Sequence, residues 1–140
     1  MHTAEHAKNT PDKPAIIMAG SGLTLTYREL DERSNQFAHC LRDCGLKRLD
    51  HYSVFMENNW QYLETNCAGE RSGLYFTCIN SWLTAGELAY ILNNSESQVL
   101  VTSQAKLGVA LEALEQTNNV SHCFVVDYEG NQNSLNELKP

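Results

Sequence analysis

No apolar run in this chain approaches the roughly 18–20 residues needed to cross a bilayer, so no transmembrane segment is expected. Met1–Thr10 are polar and charged and lack the apolar centre of a secretory signal, which points to a cytoplasmic location and free thiols. Positive charge is scarce. Ten Lys+Arg against 17 Asp+Glu leave a formal net charge of −7, which argues against nucleic acid and against an anionic membrane surface as partners. The five cysteines, Cys40, Cys44, Cys67, Cys78 and Cys123, are odd in number and match no zinc spacing. His39, Cys40 and Cys44 form the one tempting metal cluster. With no second pair to complete four ligands, Cys40 and Cys44 read as small apolar core groups, and Cys78, inside an apolar strand pattern, reads the same way. Missing too are G-x-x-x-x-G-K-[ST], H-E-x-x-H and G-x-S-x-G. His2, His6, His39, His51 and His122 are scattered, and His122, opening an apolar run, reads as a structural histidine.

What is present is an alternation of short apolar runs with helical stripes. Ala15–Met18 and Leu23–Leu25 flank Ala19-Gly20-Ser21-Gly22, whose glycines suit a hairpin turn. Thr26 and Glu29 make a T-x-x-E capping box, followed by Leu30, Phe37 and Leu41 at helical spacing, with Ser34 and Cys44 on the same stripe and Gly45 as terminator. His51–Met56 reads as a strand. Asn58 with Gln61 is read as a second capping box, and Trp60, Leu63 and Cys67 as the apolar stripe of the helix that Gly73 ends. Tyr75–Ile79 is the next strand. Thr84 with Glu87 repeats the box ahead of Leu88, Ile91 and Leu92. Val99–Val101 is a short strand, a helix carries Leu107, Ala110, Leu111 and Leu114, and His122–Val126 is the last strand. Strands joined through helices pair in parallel, so the expected class is α/β. It is an open, mainly parallel sheet of at least four strands with crossover helices and a small N-terminal β-hairpin. The edges of that sheet would be bare without further chain, which leaves association of copies as one way to cover them.

Ligands of such sheets gather at the carboxyl ends of the strands, where helix N-termini favour anions. The turns expected at that edge are Asn58-Asn59, Asn80-Ser81-Trp82-Leu83 and Thr102-Ser103-Gln104. Ser81 and Trp82 lie in the second. Trp82 is a turn aromatic placed to stack on a base, and Lys106, one turn beyond Ser103, is a cation placed to meet a phosphate. Each also has a plain structural explanation as a surface residue. No residue is assigned a catalytic or metal-binding role.

Three stretches carry a family likeness. Pro11-Asp12-Lys13-Pro14-Ala15, then Leu25-Thr26-Tyr27-Arg28-Glu29-Leu30-Asp31, then Asn80 through Leu83-Thr84-Ala85-Gly86-Glu87-Leu88-Ala89-Tyr90-Ile91-Leu92, resemble the N-terminal portion of acyl-CoA synthetases. These are members of the adenylate-forming, AMP-binding superfamily. The likeness runs from Thr10 to about Val126. It implies a division into a polar N-terminal segment (1–13), an α/β subdomain of a larger adenylate-forming domain (14–127) and a polar linker toward further chain (128–140). It also implies a two-step activity: ATP and a carboxylic acid, a fatty acid by the finer likeness, form an acyl-adenylate, and CoA then takes the acyl group, with Mg2+ on the phosphates. In relatives the CoA nucleotide runs past loops matching Asn80–Leu83 and Ser103–Lys106, which implies Ser81, Trp82 and Lys106 as nucleotide contacts. Two positions depart from the pattern: Lys106 stands where some relatives use arginine, and Glu57 where proline is frequent. The family's phosphate loop, aromatic-Thr-Glu motif, ribose-binding Asp and catalytic Lys have no counterpart here. The chain alone is therefore expected to be inactive and to hold no cofactor tightly, with the remainder of the polypeptide and a small carboxylic acid as its partners. An aryl–CoA ligase, an amino-acid adenylation domain and a non-catalytic α/β interaction module remain as other readings.

Overall fold

A computed structural model describes residues 2–127 and 135–138 of the chain. Helix α1 (Thr3–Asn9) leads into strands β1 (Pro14–Ile17) and β2 (Thr24–Thr26), which pair antiparallel as a separate two-stranded sheet. Gly22 in the connecting turn adopts a φ of +73°, a conformation open to glycine at no steric cost. Helix α2 (Tyr27–Asp43) starts at the expected box. The Glu29 N–H donates to the Thr26 hydroxyl at 3.2 Å, and the Thr26 N–H donates to the Glu29 carboxylate at 2.8 Å. Two backbone donors of the first turn are thereby satisfied.

The remaining elements alternate: β3 (His51–Phe55), α3 (Gln61–Ser72), β4 (Tyr75–Ile79), α4 (Ala85–Asn94), β5 (Val99–Ser103), a 3-10 turn (Gln104–Lys106), α5 (Leu107–Leu114) and β6 (His122–Val126). These four strands run parallel in the order β4-β3-β5-β6. A further strand, β7 (Leu135–Leu138), pairs antiparallel with β6. Of the stretch read as a linker, residues 128–134 and 139–140 lie outside the described residues, and β7 occupies the rest.

Alternation along the strands divides the core in two. Tyr52, Val54, Val99, Val101 and Phe124 face α2, with Phe37 and Leu41 packed on them. Phe55, Leu100 and Cys123 face Leu88 and Leu92 of α4 and Ala110 of α5. The central strands β3 and β5 are buried on both faces, as parallel strands under two helical layers must be. Each large apolar side chain so buried is worth about 1.5–3 kcal/mol.

Helix α3 departs from expectation. Gln61 does not cap it. Its side chain is buried and donates to the Asp127 carboxylate at 3.0 Å, so the helix begins at Gln61 and Asn59 Oδ1 accepts from the Tyr62 N–H at 3.1 Å instead. With that start, Leu63 turns outward, and Glu64, Thr65, Cys67, Ala68 and Gly69 form the buried face. Cys78 is exposed rather than in the core, because β4 is the outermost strand of the sheet. Leu111 points outward as well, and Ala110 and Ala113 fill its expected place. Cys40 and Cys44 are half-buried against the α2 face of the core.

The Thr84–Glu87 box at the start of α4 forms as expected. Thr84→Ala should cost about 1 kcal/mol, read as a lower urea midpoint at an unchanged m-value.

Candidate functional site

Because β3, β4 and β5 are parallel, the turns that follow them converge on one edge of the sheet. A groove of about 730 Å³ opens there, lined among others by Glu57, Asn58, Cys78, Ser81, Trp82 and Lys106. Ser81, Trp82 and Lys106, taken from two separate turns, thus meet in a single depression.

Side-chain hydrogen bonds fix each turn. The Trp82 N–H donates to Asn80 Oδ1 at 3.0 Å, an Asx turn that holds the indole at the rim, where it is 86% exposed. Thr102 Oγ1 donates to the Phe55 carbonyl at 2.8 Å, and Ser103 Oγ donates to Glu57 Oε2 at 2.5 Å. These two bonds tie the ends of β3 and β5 together immediately behind Lys106. The Lys106 ammonium then lies 4.7 Å from the Trp82 ring centroid, a cation–π contact across the groove.

The charge distribution is specific. The first turn of α4 is occupied by its own capping box. The Thr84 N–H, then the Thr84 hydroxyl, hold the Glu87 carboxyl below the usual carboxylate range. That helix end therefore carries its own anion, and positive charge in the groove comes from Lys106. Among the described residues no carboxylate pairs with this ammonium. Glu57 is the opposing charge, drawn aside by Ser103. Tyr62 borders the groove next to Cys78, and burial followed by the hydrogen bond with Cys78 pushes its hydroxyl up, so it stays neutral.

An exposed indole with an ammonium over one face, a neighbouring hydroxyl and backbone turns is a donor set suited to a base and an attached phosphate. Sequence reasoning missed Cys78 as a groove residue and the bond between Glu57 and Ser103. The position of Cys78 follows from β4 being an edge strand, and the bond joins residues 46 apart in the chain. His122, read as structural, is hydrogen-bonded through Nδ1 to Glu137 at 2.6 Å, far from this edge. Among the described residues no helix is long and apolar enough to cross a membrane.

Comparison with known proteins gives a consistent result. The chain matches the AMP-binding enzyme family over residues 3–139. It is 30% identical over 125 residues to a medium/long-chain-fatty-acid–CoA/3-oxocholest-4-en-26-oate–CoA ligase of Mycolicibacterium smegmatis, covering 89% of this chain and 22% of that protein. It is 34% identical over 98 residues to a fatty acid–[acyl-carrier-protein] ligase of Streptomyces coeruleorubidus, covering 70% of this chain and 18% of that one. The chain thus spans about a fifth of the length of these curated relatives. Among solved structures, a fatty acyl CoA synthetase of Mycobacterium tuberculosis superposes with a TM-score of 0.82 at 20% identity, over 93% of this chain and 26% of the other, which establishes the shared fold.

Proposed function

Because this chain belongs to the AMP-binding enzyme family, we propose that it forms the N-terminal part of an acid–thiol ligase and supplies one wall of the thiol substrate's nucleotide site. In this reading a carboxylic acid, with fatty acids favoured by the likeness to the two fatty-acid ligases, is activated by ATP to an acyl-adenylate with release of pyrophosphate. The CoA thiol then attacks the acyl carbon and AMP leaves. Mg2+ neutralises the ATP phosphates during the first step. The location is cytoplasmic, in keeping with five free cysteines.

The observation that carries the reading is the Lys106–Trp82 contact at the carboxyl edge. Trp82 stacks on the base of CoA, Ser81 offers a hydroxyl, and Lys106 meets a phosphate as a point charge rather than a two-pronged clamp. Base stacking on an aromatic ring is worth about 1–3 kcal/mol, so Trp82→Ala should weaken CoA binding about tenfold or more. The acid, the ATP phosphates and the reacting carbon are held by later parts of the polypeptide.

Fluorescence of Trp82 in a Trp60→Phe version of the 140-residue chain, titrated with CoA and with pantetheine, tests this. CoA should bind weakly, with a Kd on the order of millimolar, and Lys106→Glu should remove the response. Pantetheine should give none. Equal responses to the two ligands would overturn the nucleotide assignment. The chain alone should release no pyrophosphate with ATP and any fatty acid, and measured release would overturn the division of labour.

A further inference from the structure

On the opposite side of the molecule from the groove's turns, three elements bring together a thiol, an imidazole and a carboxylate. Cys44 is the C-terminal capping residue of α2, His122 opens β6, and Glu137 lies on β7. Their ligand atoms all lie within 4.8 Å of one another. The register of β6 and β7 places two of the three on the face that α2 covers. Phe124 packs edge-on against Phe37 of α2, so the face of β6 that carries Phe124 is the α2 face, and His122, two residues earlier, shares it. Glu137 is the cross-strand partner of Phe124, which places it on that face as well.

We propose that Cys44, His122 and Glu137 bind a zinc-class divalent metal ion, which clips β7 to the end of α2. A thiolate, an imidazole and a carboxylate are the ligand types of zinc, whereas calcium and magnesium prefer oxygen alone. In a tetrahedral site such ligand atoms stand about 3.3–3.7 Å apart, so the 2.6 Å hydrogen bond between His122 Nδ1 and Glu137 opens on binding and side-chain shifts of about 1 Å complete the geometry. Cys44 and His122 are half-buried and Glu137 is exposed, which leaves the fourth position to water. Two carboxylates, Glu137 and Asp43, stand near the thiol. Burial, then Glu137, Cys40 and Asp43, push the Cys44 thiol up to about 11. On binding, the S–H bond breaks, the proton passes to solvent and the sulfur lone pair bonds the metal, with no change of oxidation state. The site is independent of the CoA reading, since it shares no residue with the groove.

Cobalt(II) titration of the reduced, chelator-treated 140-residue chain tests the proposal. One equivalent should produce tetrahedral d–d bands and a thiolate-to-cobalt charge-transfer band, and zinc should bleach both. Cys44→Ser should abolish the charge-transfer band. Losing even an outer-shell partner costs roughly 10- to 100-fold in metal affinity, so His122→Ala should weaken binding by at least that. Cys40→Ser, one turn back on the same helix, should keep the full spectrum. Absence of a saturable cobalt spectrum, or a spectrum that survives Cys44→Ser, overturns the site. Circular dichroism of each variant separates lost ligation from lost fold.

Discussion

Gly69→Ala is expected to lower stability by about 2–3 kcal/mol, although alanine is the better helix former by about 1 kcal/mol. A Cβ at position 69 would lie 2.3 Å from Tyr52 Oη and 2.8 Å from Phe76 Cδ1. Phe76 is half-buried on the edge strand, but the Tyr52 ring has no room to yield. Tyr52 is fully buried between α2 and α3, and its hydroxyl donates to the Thr65 carbonyl at 2.6 Å. Relief requires either tilting α3 off the sheet or breaking that hydrogen bond, and an unpaired buried polar group costs about 1–3 kcal/mol. Urea unfolding should show a lower midpoint. The cost of Gly69→Ala should shrink in a Tyr52→Phe background, because the closest clashing atom is then gone. Equal costs in both backgrounds would show that the clash is not with Tyr52 Oη.

The second large effect is Arg33→Ala, expected to cost about 3 kcal/mol at neutral pH. Arg33 Nε meets Glu64 Oε2 at 2.8 Å between α2 and α3, and its guanidinium lies 4.5 Å from the Trp60 ring centroid. The Glu64 side chain is only 7% exposed. Removing one partner of a buried pair costs about 3–5 kcal/mol, and the lower end applies because Arg33 is itself partly exposed. Glu64 also sets the pH dependence. Burial raises its carboxyl above the usual value, and Arg33 partly offsets this. A raised carboxyl binds its proton more tightly in the folded state, so this group's contribution falls as pH rises from its unfolded value through its folded one. Without Arg33 the folded value rises further. The penalty of Arg33→Ala should therefore be smallest in acid, where Glu64 is protonated in both states, and grow toward neutrality. Adding Glu64→Gln should remove that slope. A pH-independent penalty would mean that lost packing on Trp60, not the bare carboxylate, is responsible.

The features legible from sequence were those settled locally or by periodicity. The boxes at Thr26–Glu29 and Thr84–Glu87 close within three residues, so their hydrogen bonds form as the pattern implies. The parallel arrangement followed from helices intervening between apolar runs, and it delivered Ser81, Trp82 and Lys106 to one edge. What was not legible depends on distant partners. Gln61 is claimed by Asp127, 66 residues on, so the start of α3 could not be read from its own neighbourhood. The exposure of Cys78 depends on strand order, since a pattern suited to a central strand looks the same at the margin. Strand β7 carries Asn136 and Glu137 among its four residues, a polar content that reads as loop until β6 is found beside it.

The central place of β3 has a consequence for how the chain is made. Phe55 and its β5 neighbour Thr102 are 47 residues apart. A ribosome adding about 5–20 residues per second needs roughly 2–10 s to cover that distance. Throughout that interval the nascent chain presents Tyr52, Val54 and Phe55 without one of the two strands that enclose them. Strand β3 is thus synthesised well before its β5 neighbour, and until β5 emerges the growing polypeptide leaves an apolar strand edge unpaired, the kind of surface that favours aggregation.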